Sequence, residues 1–286
     1  MNDLPCLSIL QNRYASLTNA EKKIADHVLD CPRKVISATV TALAKASGVA
    51  PSAINRFCKS LGYEGFPEFK LSLAMEIANR APDEGEVLPA VNRNDDVSAV
   101  FEKVFQSSVR TLQNTRRMLE MDSIEKIVRL LDNAGRILIF GVGTSATIAA
   151  DAQYRFMQLG YNVICHSDIL YMQVAAMQMG PNDVVLAISH SGETRATVEA
   201  LRLAKERGAT TVVLSSFAKS TLCALADHAI IAYADEQTYP VEAVSARIAH
   251  ICMLDAIMAA LFVLRYDSAT EHLKDRNHAL KELRGQ

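Results

Sequence analysis

The sequence lacks the patterns that mark a metal site, a disulfide framework or a membrane span. Its six cysteines are dispersed and form no C-x-x-C pair, and its seven histidines show no H-x-x-x-H spacing. We therefore expect neither a zinc site nor a disulfide-stapled fold. The longest apolar run, residues 251–264, is interrupted by Asp255 and is too short to span a bilayer. The N-terminus shows no basic segment followed by an apolar one, so we expect a cytoplasmic protein.

Net charge is also small, and it is unevenly divided. The whole chain carries −2, but residues 1–80 hold ten Lys and Arg against seven Asp and Glu, which gives +3 there and leaves −5 for the remainder. Half of the 286 residues are hydrophobic, so the chain can bury a large core. A weakly basic N-terminal part joined to an acidic remainder permits nucleic-acid binding by the N-terminal part.

Residues 1–80 carry the apolar spacing of a small helical domain. Thr18 and Glu21 form the capping-box pattern that begins a helix. Residues 39–62 then predict a helix, a turn containing Gly48 and a second helix, which is the helix-turn-helix pattern. We therefore predict a DNA-binding domain over residues 1–80.

The second helix of this pair has one apolar face and one polar face. The apolar positions are Ile54, Phe57, Cys58 and Leu61, and the polar positions opposite them are Ser52, Asn55, Arg56 and Lys59. Asparagine can pair with adenine and arginine with guanine in the major groove, while lysine serves either base or phosphate. A solvated surface would show the same pattern, but Pro51 and Gly48 suit a short helix presented by its N-terminal end. We predict that the four polar residues contact DNA.

A polar segment follows the helical domain. Residues 81–97 contain two prolines, one glycine and few apolar residues, which is typical of a linker. Apolar positions then predict two amphipathic helices, at 98–121 and, capped by Asp122, at 122–133. The apolar faces of these helices can pack on their own domain or on a second subunit, and the sequence leaves both open.

Two similar strand-and-loop units come next. Residues 136–140 predict a buried strand followed by the loop Gly141-Val-Gly-Thr-Ser-Ala146, and residues 183–188 predict a strand followed by Ser189-His-Ser-Gly-Glu-Thr194. The glycines let the backbone bend, and the first turn of each following helix offers free amides to an anion. Two such loops at the carboxyl ends of parallel strands face one crevice, so we predict a phosphate-binding site there.

The ligand-binding residues predicted from these loops are mostly hydroxyl side chains. They are Gly143, Thr144, Ser145, Ser189, His190, Ser191, Gly192 and Thr194, with the backbone amides beyond the two glycines completing the phosphate cradle.

A dinucleotide-binding fold is the nearest alternative, because residues 141–146 also satisfy the G-x-G-x-x-G/A pattern. Such a site requires an acidic residue at the end of the second strand to bind the ribose. Here residues 161–165 run into His166 and Ser167 before Asp168 appears. The second serine-rich loop also has no role in a dinucleotide site, so we favour a sugar phosphate over a dinucleotide.

The rest of the chain continues the alternation of strands and helices. Strands are predicted at 210–214 and 229–232, a short helix at 222–226, an apolar helix at 245–264 and a charged helix at 268–284. The alternation predicts a parallel sheet covered on both faces.

These motifs resemble two known families. The two loops resemble the SIS (sugar isomerase) fold, whose loops follow G-x-G-x-S and S-x-S-G-x-T, and residues 55–70 resemble the signature of the RpiR family of bacterial transcriptional regulators. The resemblance covers nearly the whole chain. It implies a helical helix-turn-helix domain (1–80), a linker (81–97) and an α/β SIS domain (98–286) with a doubly wound parallel five-stranded sheet. It also implies that Ser245 and Arg247 lie beside the sugar site.

The resemblance further implies a regulator that binds operator DNA and senses a phosphorylated sugar or sugar acid, with no cofactor. Within the family the chain most resembles regulators of hexose catabolism that sense a keto-deoxy sugar-acid phosphate. One departure is Ala50, where family members often carry a serine that caps the second helix of the pair.

The alternative function is a sugar-phosphate isomerase, with His190 and Glu193 as acid and base. We favour structural roles for both, His190 packing at a strand end and Glu193 capping the helix that follows its loop. Isomerisation also requires no helix-turn-helix domain. Because a single helix-turn-helix offers few base contacts, we expect a homodimer or homotetramer that presents two of them.

Overall fold

The computed structural model describes residues 6–14, 17–80, 86–88, 91–234 and 244–284. Contacts between residues divide the chain into two units, an N-terminal unit, Met1–Lys103, and a C-terminal unit, Val104–Gln286, and each is described by itself. The division falls beyond the predicted linker, so the domain bounds proposed from the sequence remain a proposal.

Helices build the N-terminal unit. They are α1 (Cys6–Arg13), α2 (Asn19–Asp30), α3 (Pro32–Ser37), α4 (Val40–Ser47), α5 (Pro51–Ser60) and α6 (Phe66–Arg80). Their apolar faces meet in one core, in which the rings of Phe57 and Tyr63 pack edge-on against Phe69 at centroid distances of 6.1 and 5.3 Å. Edge-to-face contacts of this kind stabilise an aromatic cluster by more than the burial of the ring surfaces alone would.

Local signals fix where these helices begin and end. Thr18 and Glu21 form the predicted capping box, and the backbone amide of Thr18, donating to the Glu21 carboxylate, is the main cause of the lowered pKa of Glu21. Thr39 caps α4, and Gly48 ends it at φ +65°, a conformation that favours glycine. The structure thus confirms the predicted helix-turn-helix of α4 and α5.

The predicted linker contains regular structure. The strands β1 (Glu86–Leu88) and β2 (Val91–Asn92) pair antiparallel, while residues 81–85 and 89–90 lie outside the described part of the chain. The long helix α7 (Val97–Met118) follows, then α8 (Met121–Asp132). Glu120 occupies the cap position of α8, so the prediction that Asp122 caps this helix is wrong and Asp122 lies in its first turn.

A five-stranded parallel sheet forms the centre of the C-terminal unit. Its strands are β3 (Arg136–Phe140), β4 (Val163–His166), β5 (Asp183–Ile188), β6 (Thr210–Ser215) and β7 (His228–Ile231), in the order β4-β3-β5-β6-β7. The helices are α9 (Thr144–Gln158), α10 (Ile169–Met177), α11 (Arg195–Glu206), α12 (Thr221–Leu225), α13 (Val244–Leu264) and α14 (Tyr266–Arg284). The predicted doubly wound sheet is confirmed.

Alternate strand residues face opposite sides, so the sheet has two cores. Ile139 and Leu186 pack with α8, α9 and α13 on one face, whereas Phe140 and Val185 pack with α10, α11 and α12 on the other. The sheet order reverses at β3, which has β4 on one side and β5 on the other. The loops after β3 and β5 therefore diverge and leave a crevice at the carboxyl ends of the strands.

The apolar helix α13 is longer than the run considered in the sequence. It has 21 residues, and by length and composition alone it could cross a membrane. In this structure Ala249, Met253, Ile257 and Leu261 are buried in the same core as the sheet. These positions repeat every four residues along one face, so α13 packs here as a core helix.

Candidate functional site

A cavity of about 230 Å³ lies where the crevice was predicted. Three parts of the chain line it: the turn from β3 into α9, the loop after β5 and the first turns of α13. The lining residues are Val142, Gly143, Thr144, Ser145, Ile148, Ser189, His190, Ser191, Thr194, Ala246, Arg247 and His250. Eight of the ten predicted ligand residues are among them, and Gly192 and Ser245 are not.

Glycines shape the turn from β3 into α9. A Cβ atom at Gly141 would lie 2.7 Å from the carbonyl oxygen of Ser145, so the helix can start this close to the strand only over a glycine. Gly143 is the N-cap residue at φ +62° and ψ −130°, and no side chain caps α9 there. The first-turn amides of α9 and the positive end of its dipole therefore face the side of the cavity.

The loop after β5 is held together by its own hydroxyl groups. Ser189 Oγ accepts a hydrogen bond from the amide of Gly192 (3.1 Å), and Ser191 Oγ accepts one from the amide of Glu193 (3.2 Å). Ser189 Oγ also lies 3.5 Å from Oγ1 of Thr194, the N-cap residue of α11, whose side chain makes no capping bond. Hydrogen bonds within the loop therefore fix its conformation where it lines the cavity.

Gly192 faces the neighbouring segment rather than the cavity. It has φ +66°, and a Cβ atom there would lie 2.2 Å from Oγ of Ser220. Beside it, the Glu193 carboxylate accepts hydrogen bonds from the amide (2.8 Å) and the hydroxyl (2.7 Å) of Thr221. Glu193 thus binds the first turn of α12, and the prediction that it caps the helix after its own loop, α11, is wrong. The reason is that Glu193 precedes the cap position of α11 and packs on α12 instead.

His190 takes part in a chain of polar groups at the wall of the cavity. Its Nδ1 lies 3.0 Å from Oγ of Ser216, and that oxygen lies 3.2 Å from Nε2 of His250. The His190 ring also packs edge-on against Phe217. Burial lowers the pKa of His250 to about 3, with the nearby His190 as a lesser cause, so His250 is neutral near pH 7.

The sequence reasoning missed Ser216 and His250. They lie 26 and 60 positions from His190 along the chain, so no local motif contains them. A weak signal did exist, because His250 follows Arg247 by three positions on a predicted apolar helix and so shares its face.

The first turns of α13 supply the charge of the cavity. Arg247 lines it and is exposed, whereas Ser245 is buried and lies outside the lining. Among the described residues that line the cavity, none is an aspartate or glutamate. An arginine, two helix N-termini and several hydroxyl groups suit a negatively charged ligand.

The four predicted DNA contacts share the exposed face of α5. Ser52, Asn55, Arg56 and Lys59 are all exposed, while Ile54, Phe57 and Cys58 are buried on the opposite face. Ala50 occupies the N-cap position and makes no side-chain capping bond. Asn55 differs from the other three, because its Oδ1 lies 3.5 Å from the amide of Phe66, at the start of α6.

Within the described part of the chain, no three His, Cys, Asp or Glu residues are placed to hold a metal ion together.

Known families match both units. The helix-turn-helix domain of the RpiR family matches residues 4–80, and the SIS domain matches residues 130–260. The HTH-type transcriptional regulator HexR of Escherichia coli (strain K12) is 34% identical over 278 residues, covering 97% of this chain and 95% of that protein. HexR of Pseudomonas aeruginosa is 31% identical over 268 residues, covering 94% and 93%.

A solved structure shows the same fold. The Vibrio vulnificus NanR protein, complexed with ManNAc-6P, matches with a TM-score of 0.63 at 23% identity, covering 97% of this chain and 98% of that one. The SIS domain of the RpiR transcription factor from Sphaerobacter thermophilus matches with a TM-score of 0.58 at 22% identity, covering 63% of this chain and 98% of that one.

Proposed function

Because the chain belongs to the RpiR family of transcriptional regulators, which join a helix-turn-helix domain to a SIS domain, we propose that it binds operator DNA through α5 and a phosphorylated sugar or sugar acid in the cavity. The ligand would control the affinity for DNA. Such a protein works beside the chromosome, which agrees with a cytoplasmic location.

The observation that supports the effector site is the composition of the cavity. Thr144 and Ser145 stand at the uncapped N-terminus of α9, Ser191 lies on the second loop, and Arg247 adds a positive charge. A phosphate ester needs such donors and a positive potential, and the hydroxyl groups can also bind a sugar. NanR, of the same fold, binds the phosphorylated amino sugar ManNAc-6P, which supports a ligand of this class.

A thermal shift assay tests this site. A ligand at about 100 times its dissociation constant stabilises the folded state by about 2.7 kcal/mol, so the melting temperature should rise with at least one compound among hexose, hexosamine and sugar-acid 6-phosphates. Arg247→Ala should reduce the shift, whereas Arg207→Ala, an exposed arginine just beyond the end of α11, should not. A shift with NAD and none with any sugar phosphate would support the dinucleotide alternative instead.

The position of Glu193, which the isomerase alternative needs as a catalytic acid or base, does not support that alternative. The Glu193 carboxylate is bonded to Thr221. Relatives that match nearly the whole chain are named transcriptional regulators, and the chain is a regulator of the RpiR type rather than an enzyme.

We propose a homodimer or homotetramer, in which two helix-turn-helix domains bind half-sites separated by about 34 Å or a multiple of it. The helix α7 carries Phe101, Phe105 and Val109 four residues apart, with 63%, 68% and 52% of their surfaces exposed. A second subunit would cover this stripe, because the exposure of neighbouring large apolar side chains to water is unfavourable. Phe105→Gln should weaken self-association in sedimentation experiments, while Arg117→Gln on another face of α7 should leave it unchanged.

Coupling between the two sites is tested by a pair of titrations. If the ligand changes DNA affinity by some factor, DNA must change the ligand affinity by the same factor. A sugar phosphate identified by the thermal shift is titrated into free protein and into protein saturated with operator. Equal affinities would mean that the protein does not act as a sensor, even if both sites bind.

A further inference from the structure

One buried hydroxyl group joins two imidazole rings at the wall of the cavity. Ser216 Oγ lies between Nδ1 of His190 at 3.0 Å and Nε2 of His250 at 3.2 Å. Ser216 and His250 are only 4% and 1% exposed, whereas His190 is partly exposed, and both histidines line the cavity. The three residues come from the loop after β5, the segment after β6 and α13, so the tertiary fold brings them together.

The number of hydrogens in this chain of groups is limited. The serine has one hydroxyl hydrogen, and a neutral imidazole has one N–H. His250 stays neutral, since burial lowers its pKa to about 3. Ser216 can therefore donate to only one of the two rings, and with a neutral His190 it can donate to either.

A second proton on His190 selects one direction. Nδ1–H of His190 then donates to Ser216, and Ser216 donates to the lone pair on Nε2 of His250. Both hydrogen bonds of Ser216 are kept in this arrangement. The structure can therefore hold a protonated His190 without rearrangement, because the hydroxyl group of Ser216 can accept from this ring. A group that can only donate, such as an N–H, could not accept the new proton.

Among the described residues, the titratable and charged groups on the elements around His190 are mostly positive or neutral. Arg247 and His250 lie on α13, Lys219 lies on the segment of Ser216 between β6 and α12, and Glu193, on the loop of His190, binds Thr221. No carboxylate belongs to the described lining of the cavity. An anion bound there would favour the charged form of the imidazole, because opposite charges at short range stabilise each other.

We infer that the cavity takes up its phosphate ester together with a proton, that His190 carries this proton, and that Ser216 and His250 are positioning residues that orient its ring. The inference rests on the proposed effector site and adds the proton that accompanies the ligand. Affinity should fall as the pH rises, by at most about tenfold per pH unit for one proton.

Isothermal titration calorimetry of the full chain tests this inference, with the sugar 6-phosphate that gives the largest thermal shift as the probe. Titrations in two buffers of different ionisation enthalpy give the number of protons taken up. They are run from about pH 7 to 8.5, where a phosphate ester, with a second pKa of about 6, is already dianionic. The wild type should take up a measurable fraction of one proton.

Four variants assign the uptake to its residues. His190→Gln should bind more weakly, without proton uptake and with little pH dependence in this range. Ser216→Ala should lose most of the uptake, and Ser216→Thr, which keeps the hydroxyl group, should retain it. Ser191→Ala, from the same cavity but outside this chain of groups, should weaken binding and leave the uptake unchanged.

Two results would overturn the inference while leaving the effector site intact: binding of the wild type without proton uptake, or the same uptake in His190→Gln as in the wild type. Binding heat from none of the sugar phosphates would instead overturn the proposed function. Melting curves without ligand check that each variant is folded. Because His190 is partly exposed, His190→Gln decides the question even if the buried Ser216 variants are unstable.

Discussion

The polar face of α5 and the cavity of the C-terminal unit use their polar residues differently. On α5, Arg56 and Lys59 are exposed side chains on a helix whose opposite face is already buried. Beside the cavity, Ser216 and His250 are almost fully buried, and their side chains lie within hydrogen-bond distance of each other. Substitutions on α5 should therefore change binding with little effect on folding, whereas substitutions around the cavity should change both.

The largest effect expected from this difference is that of Gly192→Ala. The added Cβ atom would meet Ser220 Oγ at 2.2 Å, and φ is +66°. Left-handed backbone costs a non-glycine residue about 1–2 kcal/mol and overpacking about 1–3 kcal/mol, so we expect a loss of about 2–5 kcal/mol in the free energy of unfolding, measured in urea.

The matched control lies in the N-terminal unit. Gly48 has nearly the same φ, +65°, but a Cβ atom there meets nothing within 4 Å. Gly48→Ala should cost only the backbone term, about 1–2 kcal/mol. Equal losses in the two variants would show that the packing of Gly192 on Ser220 contributes nothing.

Arg56→Ala should affect DNA binding and leave stability nearly unchanged. Loss of a base contact should cost about 1–3 kcal/mol in operator affinity and relax the sequence preference. Lys59→Ala, if Lys59 binds a phosphate, should mainly reduce the salt dependence of binding. Binding titrations at several salt concentrations measure both effects, and unchanged operator affinity in Arg56→Ala and in Asn55→Ala would refute the role of the α5 face.

The same difference explains how much of the molecule could be predicted from its sequence. The helix-turn-helix, the strands and the two glycine-containing loops are local patterns, so the sequence could predict the exposed face of α5 and most of the residues that line the cavity. The helix α10 is apolar almost all round, so its sequence has no periodic polar stripe from which a buried and an exposed face could be predicted. The hydrogen bonds of Ser216 with His190 and His250, and that of Thr221 with Glu193, join residues 26 to 34 positions apart, which no local pattern records.

Acid should destabilise the protein partly through His250. Its pKa is about 3 in the folded state against an ordinary value of 6.5, so the unfolded chain binds a proton between these values and the folded state does not. Its contribution to stability is complete above pH 6.5 and is lost as the pH falls toward 3, by about 1.4 kcal/mol per pH unit, or about 2 kcal/mol at pH 5.

Urea unfolding of the wild type and of His250→Gln at about pH 7.5 and 5 measures this contribution. The variant should lose less stability on acidification. Burial also lowers the pKa of His166 and His228, so part of the pH dependence should remain in the variant. An identical loss in the variant and the wild type would show that His250 is not the group responsible.

The smallest effect on stability is expected from adding a hydroxyl group at Ala50, an exposed position of the N-terminal unit. Ala50 is exposed and has the extended backbone of an N-cap residue, φ −72° and ψ 147°, but it cannot cap α5. In Ala50→Ser the hydroxyl group can accept from a first-turn amide of α5, which should raise the free energy of unfolding by about 1 kcal/mol. Ala46→Ser, exposed within α4, is the control and should lower it slightly, because serine is the poorer helix former. A gain in Ala50→Ser beside the loss in Gly192→Ala would show that the N-terminal unit accepts a new side-chain atom at the start of α5, whereas the loop at the cavity does not accept even one methyl group. No gain in Ala50→Ser would mean that the first turn of α5 is already satisfied by water, and the contrast would then rest on the packing at Gly192 alone.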